Sequence, residues 1–167
     1  MDILFENKYY FDKKSLIEYV KNVSCKFQRI LGFLFLAFSF FYVYLSFKYK
    51  DLILIGITGA LCVISLLLIF FHLIYIKKME KNILIVHNGI IPESNIQFTE
   101  DNITIKEGKT LMEFEYSQIK NIKEYNSIYA LMLGKRNGIL VRKDSFTIGT
   151  FEEFKKFIAE KSNITPK

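Results

Sequence analysis

Polar positions are spread so unevenly along this chain that they divide it into parts. From Ile30 to Phe47 the residues read ILGFLFLAFSFFYVYLSF without a charge. From Leu52 to Ile76 they read LILIGITGALCVISLLLIFFHLIYI, where His72, Cys62 and Tyr75 are the only ionisable groups. As helices, at ~1.5 Å of rise per residue, the runs extend roughly 27 and 37 Å, against about 30 Å of bilayer hydrocarbon. Both predict membrane-spanning helices, the longer one free to tilt. Only Lys48–Asp51 lies between them, so the two should form an antiparallel hairpin with a tight turn. Gly56 and Ala60, one helical turn apart, are the small pair at which another backbone could approach.

Outside these runs the period changes. Residues 1–29 read as a juxtamembrane segment: Phe5, Tyr9, Tyr10 and Phe11 open it, and Leu16, Tyr19, Val20, Val23 and Phe27 then recur at spacings of three and four. That spacing predicts an amphipathic helix, capped by Asp12 or Ser15, lying either on the membrane surface or on a soluble domain. Residues 77–93 read as a linker, with NILIV at 82–86 open to either helix or strand and Asn88-Gly89 and Pro92 ending it.

From residue 94 onward the period becomes two. Ile96 and Phe98, Ile103 and Ile105, then Met112, Phe114 and Tyr116 alternate with polar residues across turns at Glu100-Asp101-Asn102 and Glu107-Gly108-Lys109, which predicts a meander of half-buried strands. IYALML at 128–133 reads as a central strand, turned back by GKRNG into Ile139–Arg142. Thr150 followed by Glu153 is a capping box, and Phe151, Phe154, Phe157 and Ile158 form the apolar stripe of a final helix. The expected fold class is membrane α+β: a two-helix transmembrane hairpin at 30–47 and 52–76, then at 94–167 a small antiparallel sheet or partial barrel with a C-terminal helix, the outline of a pleckstrin-homology-like (PH-like) domain.

Charge refines the picture. The chain has 23 Lys+Arg and 17 Asp+Glu, of which residues 1–81 hold 11 and 6, leaving 12 and 11 for residues 82–167. The basic excess thus belongs to the membrane half, which argues against a nucleic-acid-binding domain. Five basic residues (Lys13, Lys14, Lys21, Lys26, Arg29) precede the first run and three (Lys77, Lys78, Lys81) follow the second, against Lys48 and Lys50 in the turn. This bias predicts a multi-pass protein of the cell membrane with both termini in the cytoplasm.

The layout resembles one known family. Two closely spaced spans, then Tyr116-Ser117-Gln118-Ile119, then Val141-Arg142-Lys143-Asp144-Ser145-Phe146 leading into the Phe151–Phe157 helix, are similar to the YcxB-like bacterial membrane proteins. The resemblance implies a PH-like cytoplasmic module on a two-span anchor and supplies no catalytic residues.

Candidate chemistry is sparse. Cys25 and Cys62 lack the spacing of a metal site or disulfide framework, and the two histidines, His72 and His87, suit an interfacial imidazole and a solvated turn. Glu152 and Glu153 are accounted for by a helix N-terminus, and Glu113 and Glu115 by the wet face of a strand. No catalytic residues, no metal site and no cofactor are therefore expected. The function expected is a non-catalytic binding module that engages anionic lipid or a protein at the cytoplasmic face. A structural or regulatory subunit of a larger membrane complex, for transport, secretion or immunity, is the alternative. The residues expected to bind a ligand are the basic turns, Lys135 and Arg136 at a hairpin tip and Arg142 and Lys143 before the final helix, because a phosphate or acidic peptide needs local positive donors.

Overall fold

A computed structural model describes residues 2–135 and 137–164. The chain forms two compact units, one of residues 1–18 with 82–167 and one of residues 19–81.

In the first unit eight strands build two antiparallel sheets. The five-stranded sheet has the order β4-β3-β2-β1-β8, from β1 (Phe5–Tyr10), β2 (Glu93–Phe98), β3 (Asn102–Glu107), β4 (Thr110–Glu115) and β8 (Phe146–Ile148). The three-stranded sheet is β5-β6-β7, from β5 (Asn121–Glu124), β6 (Ile128–Met132) and β7 (Gly138–Arg142). The alternation at 96–98, 103–105 and 112–114 emerges as the β2-β3-β4 meander, in register Ile96↔Ile105 and Ile103↔Phe114.

The largest correction to the sequence reading concerns residues 1–29. Phe5–Tyr10 belongs to the folded domain. It is an inner strand of the five-stranded sheet, paired residue for residue with β2 from Phe5↔Phe98 to Tyr10↔Glu93 and flanked on its other side by β8. Its alternation is of the ordinary kind, Tyr9 buried in the core and Phe5 packed against it, but its pairing partner lies more than eighty residues away. The folded domain therefore does not begin at residue 94. Helix α1 (Lys13–Tyr19) also joins this unit through its residues up to Glu18. Asp12 caps it, accepting from Ser15 N (2.6 Å), and Glu18 accepts from the amides of Asn126 (2.7 Å) and Ser127 and from the Ser127 hydroxyl.

One aromatic centre organises the core. Phe154 of α4 (Phe151–Ser162) is fully buried, with its ring 4.6 Å from Phe98, 5.2 Å from Phe146, 5.6 Å from Phe5 and 6.1 Å from Tyr129. Both sheets thus meet on a single helix. Both halves of the expected capping box form: Glu153 N donates to Thr150 Oγ1 (3.3 Å) and Thr150 N to Glu153 Oε2 (3.1 Å). Gly149 precedes the cap at φ +76°, and a Cβ there would lie 2.4 Å from the Phe5 ring, so the entry to α4 needs glycine on two counts.

The second unit is mainly a helical hairpin. The helix expected to run on to Phe27 is interrupted after α1 by a π-helical turn, Val20–Ser24, where Cys25 N donates to Val20 O at 2.8 Å. Helix α2 then covers Lys26–Tyr49 and α3 Leu52–Val86. Lys50 takes the left-handed conformation that ends α2, and Asp51 opens α3 by accepting from Ile53 N (2.9 Å). The expected linker at 77–93 is helical as far as Val86, because KKMEK contains good helix formers; positive φ at Asn88 and Gly89 stops it.

Small and polar residues, rather than the Gly56–Ala60 pair, line the contact between α2 and α3. Gly32, Ser39 and Ser46 are the buried residues of α2, seven apart; Thr58, Ser65 and His72 repeat the same spacing in α3. In an antiparallel hairpin these sets face each other as 46 with 58, 39 with 65 and 32 with 72. Ser46 and Thr58 share a hydrogen bond (3.3 Å), and a Cβ on Gly32 would meet Ile69 Cγ1 at 2.8 Å. Each hydroxyl also returns a bond to the carbonyl four residues back, as Ser39 does to Phe35 (2.8 Å) and Ser65 to Leu61 (2.6 Å), so these hydroxyls are satisfied within their own helix. Gly56 and Ala60 are exposed instead.

Candidate anion-binding surface

Strand β7 separates the expected ligand residues. Lys135 is exposed in the β6–β7 hairpin, before β7 begins, whereas Arg142 is its last residue, about 13 Å further along at ~3.3 Å per residue. Arg136 lies outside the described residues.

Arg142 is engaged within the fold. Its guanidinium grips Asp144 with two bonds, Nε to Oδ1 (3.0 Å) and Nη2 to Oδ2 (2.8 Å), while Nη1 pairs with Asp12. The Asp144 carboxyl is held below its usual range chiefly by that guanidinium. The backbone of Arg142 is also occupied: its amide donates to Asn7 Oδ1 (3.0 Å) and its carbonyl accepts from Asn7 Nδ2 (2.8 Å). Lys143 is likewise committed, its ammonium 2.7 Å from Glu124 Oε1 and 5.2 Å from the centre of the Phe151 ring. Lys155 takes the other oxygen of Glu124 at 2.7 Å, and the two ammoniums, Lys143 foremost, lower the Glu124 carboxyl. Arg142 and Lys143 therefore fasten α1 and α4 to the sheets rather than standing ready for a ligand. Beside them Tyr129 is fully buried, its hydroxyl meets no partner among the described residues, and burial pushes its phenol up to about 12.

Lys135 keeps different company. It lines an open depression of about 440 Å³ together with Lys120, Asn121, Lys123, Met132 and Gly134. The pairing of β5 with β6 assembles it: Lys120 N donates to Met132 O (2.7 Å) and Asn121 sits opposite Met132, which brings the start of β5 beside the loop that carries Lys135. Asn121 and Lys123, two apart on β5, point to the same face. No carboxylate lines this depression, and none is paired with Lys120, Lys123 or Lys135 among the described residues. Among the described residues Lys120 Nζ donates only to the Ser117 carbonyl, at 3.3 Å. The sequence reading singled out Lys135 and did not single out Lys120 or Lys123, which line the same depression. Lys123 sits in a short strand, Asn121–Glu124, whose apolar content is the single residue Ile122, and Lys120 immediately precedes it.

A second depression has the opposite sign, lined by Asp101, Glu113 and Glu115 with Asn102, Phe114, Tyr116, Ser117 and Gln118. Among the described residues no group of three or more His, Cys, Asp or Glu is arranged to hold a metal ion.

Fold and surface define an α+β domain of two antiparallel sheets closed by a C-terminal helix, in the same chain as two helices long and apolar enough to span a membrane. Residues 98–158 match the family model described as YcxB-like protein, so the resemblance seen in the sequence holds over the stretch from the end of β2 into α4. Neither a curated protein nor a solved structure matches the chain.

Proposed function

We propose that the protein is a non-catalytic binding module anchored in the cell membrane: α2 and α3 cross the bilayer as a hairpin, and the two-sheet domain, which we read as PH-like, engages lipid or protein at the cytoplasmic face. The observation that carries the anchor is the surface of the hairpin. In the most apolar 18 residues of each helix only 17% are buried, and large side chains such as Phe40, Phe47, Ile53 and Leu67 stand fully outward, which a core helix of a water-soluble protein would not tolerate. Strand pairing supports an even number of crossings. β1 precedes the hairpin and β2 follows it, yet the two are hydrogen-bonded neighbours, so both flanks belong on one side of the bilayer. The basic bias assigns that side to the cytoplasm.

The PH-like reading rests on the order of elements: a four-strand antiparallel meander, a three-strand meander, the short strand β8 that returns to pair with β1, and a closing helix, with the hairpin inserted between β1 and β2. The alternative, a subunit of a larger membrane complex, is favoured by Gly56 and Gly59 of α3, which are exposed with nothing within 4 Å of where a Cβ would stand, leaving room for another helix. Thiol labelling in intact cells tests the anchor and its orientation. Lys50→Cys should react with a membrane-impermeant maleimide and Asn163→Cys only after permeabilisation; the opposite pattern, or release of the chain by alkaline carbonate, would overturn the reading.

A further inference from the structure

The geometry points to a phosphate-binding site formed by Lys120, Lys123 and Lys135 on the β5-β6-β7 sheet, a deepening of the binding-module reading on which it rests. Ion pairing sorts the cations of this domain. Lys8, Arg142, Lys143, Lys155 and Lys161 each meet a carboxylate. The three lysines of the depression meet none among the described residues, although strand pairing gathers them around one hollow. Like charges collected without a counter-charge repel one another, and an anion seated between them relieves that repulsion.

The donor set selects the anion. Among the described residues Lys120 spends one bond on the Ser117 carbonyl and keeps two N–H donors, and Lys123 and Lys135 keep all of theirs. Asn121 Oδ1 accepts from the Ile122 amide (2.9 Å), which leaves its Nδ2 as a neutral donor in the same depression. Three point charges and an amide around an open hollow suit the three or four acceptor oxygens of a phosphate group. A single carboxylate, with two oxygens in one plane, engages fewer of them. The volume of about 440 Å³ admits the phosphate together with the small polar group that bears it. The acidic hollow lined by Asp101, Glu113 and Glu115 gives the same domain a face that repels such a ligand.

The phosphate could come from a lipid headgroup or from a soluble ester, and lysine footprinting on the full-length protein separates the two. The protein is placed in phosphatidylcholine nanodiscs, and acetylation rates at single lysines are read by mass spectrometry under three conditions: no addition, inorganic phosphate, and discs containing phosphatidylglycerol, at matched ionic strength. Lys120, Lys123 and Lys135 should be protected together by about fivefold or more, each cation contributing ~1 kcal/mol, while exposed Lys109 and Lys156 stay unchanged. Protection by inorganic phosphate marks a soluble ligand; protection confined to phosphatidylglycerol discs marks a headgroup. Unchanged rates at the three lysines, or equal protection at Lys109 and Lys156, would overturn the proposal. Lys123→Ala should lower the protection of Lys120 and Lys135, and no change there would equally count against a shared site. Failure of the anchor is read separately, as a chain that does not enter nanodiscs, and the phosphate arm still reports on the site in that case.

Discussion

Asn7 is fully buried on β1, and its side-chain amide satisfies both backbone groups of Arg142, donating to the carbonyl and accepting from the amide. A single residue of the first sheet thereby continues the hydrogen bonding of the second. Asn7→Ala would leave that amide without a partner and the carbonyl with only the long bond from Ser145 N (3.4 Å), a loss of about 1–3 kcal/mol. The expected result is a marked fall in the thermal midpoint of the detergent-solubilised protein, with Asn7→Asp falling further at neutral pH, because it adds an unpaired buried charge. Its neighbour Glu6 is buried on the opposite face of the strand. Burial alone would raise its carboxyl, but bonds from Thr147 Oγ1 (2.6 Å) and Gln97 Nε2 (2.8 Å), with Lys8 and Asn95, bring it down to about 2. A carboxyl lowered in the folded state stabilises the fold above its unfolded value, near 4.3, and that contribution is lost as pH falls toward 2. Glu6→Gln should therefore cost about 1–3 kcal/mol at pH 7. The difference from the parent should shrink between pH 4 and 2. A gap between the two melting curves that is constant with pH would contradict this account.

Elements with local signals were legible in the sequence and those with distant partners were not. The β2-β3-β4 meander shows because alternation and turn residues lie within a few positions of each other, and α4 shows because its cap, stripe and terminal cations are all local. β1 has the same alternation, but the inserted hairpin removes it from β2, and nothing in residues 5–10 says that a sheet must be found beyond it. The lysine-lined depression was only partly visible for the same reason: Lys135 announces itself in a turn, whereas the pairing that brings Lys120 and Lys123 to it is tertiary. Ion-pair partners 19 to 130 residues away similarly hide the roles of Lys143 and Arg142. The α2–α3 contact is a different case, since its seven-residue spacing of Gly32, Ser39 and Ser46 is in plain view but is dwarfed by the apolar signal around it. That spacing makes a specific claim about register. In a background with Cys25→Ser and Cys62→Ala, the pair Ser39→Cys with Ser65→Cys should cross-link under mild oxidation, and Ser39→Cys with the outward-facing Ile64→Cys should not. Equal cross-linking would mean that the helices do not pack along this line. Ser65→Leu, which overfills the same contact, should weaken the hairpin by roughly 1–3 kcal/mol.

At the scale of the molecule, one folded domain is interrupted by an apolar hairpin, and its two pieces have to come together before either is stable. Residues 1–18 supply β1, the Asp12 partner of Arg142 and the Glu18 carboxylate that holds the β5–β6 turn; residues 82–167 supply everything else. A fragment of 94–167 would lack β1, so β2 and β8 would both become unpaired edges and the backbone of Arg142 would lose Asn7. Phe154 would lose Phe5 from its ring of aromatic neighbours, and the hydroxyl bond from Tyr9 to Leu140 O (2.7 Å) would go as well. Against a net stability of about 5–15 kcal/mol for a whole domain, these losses are enough to unfold it. Joining residues 1–18 to residues 82–167 through a flexible linker of about fifteen Gly and Ser residues restores every one of these contacts, and loop closure adds only a slowly growing entropic cost. The joined chain should be soluble, monomeric and protected from proteolysis, with the dispersed amide spectrum of a β-rich fold, while the 94–167 fragment should aggregate or be digested. The hairpin is then an insertion that the domain tolerates rather than a scaffold on which it folds. A 94–167 fragment as well folded as the joined chain would show that β1 is an accessory strand and would overturn the division of the chain drawn from its pairing.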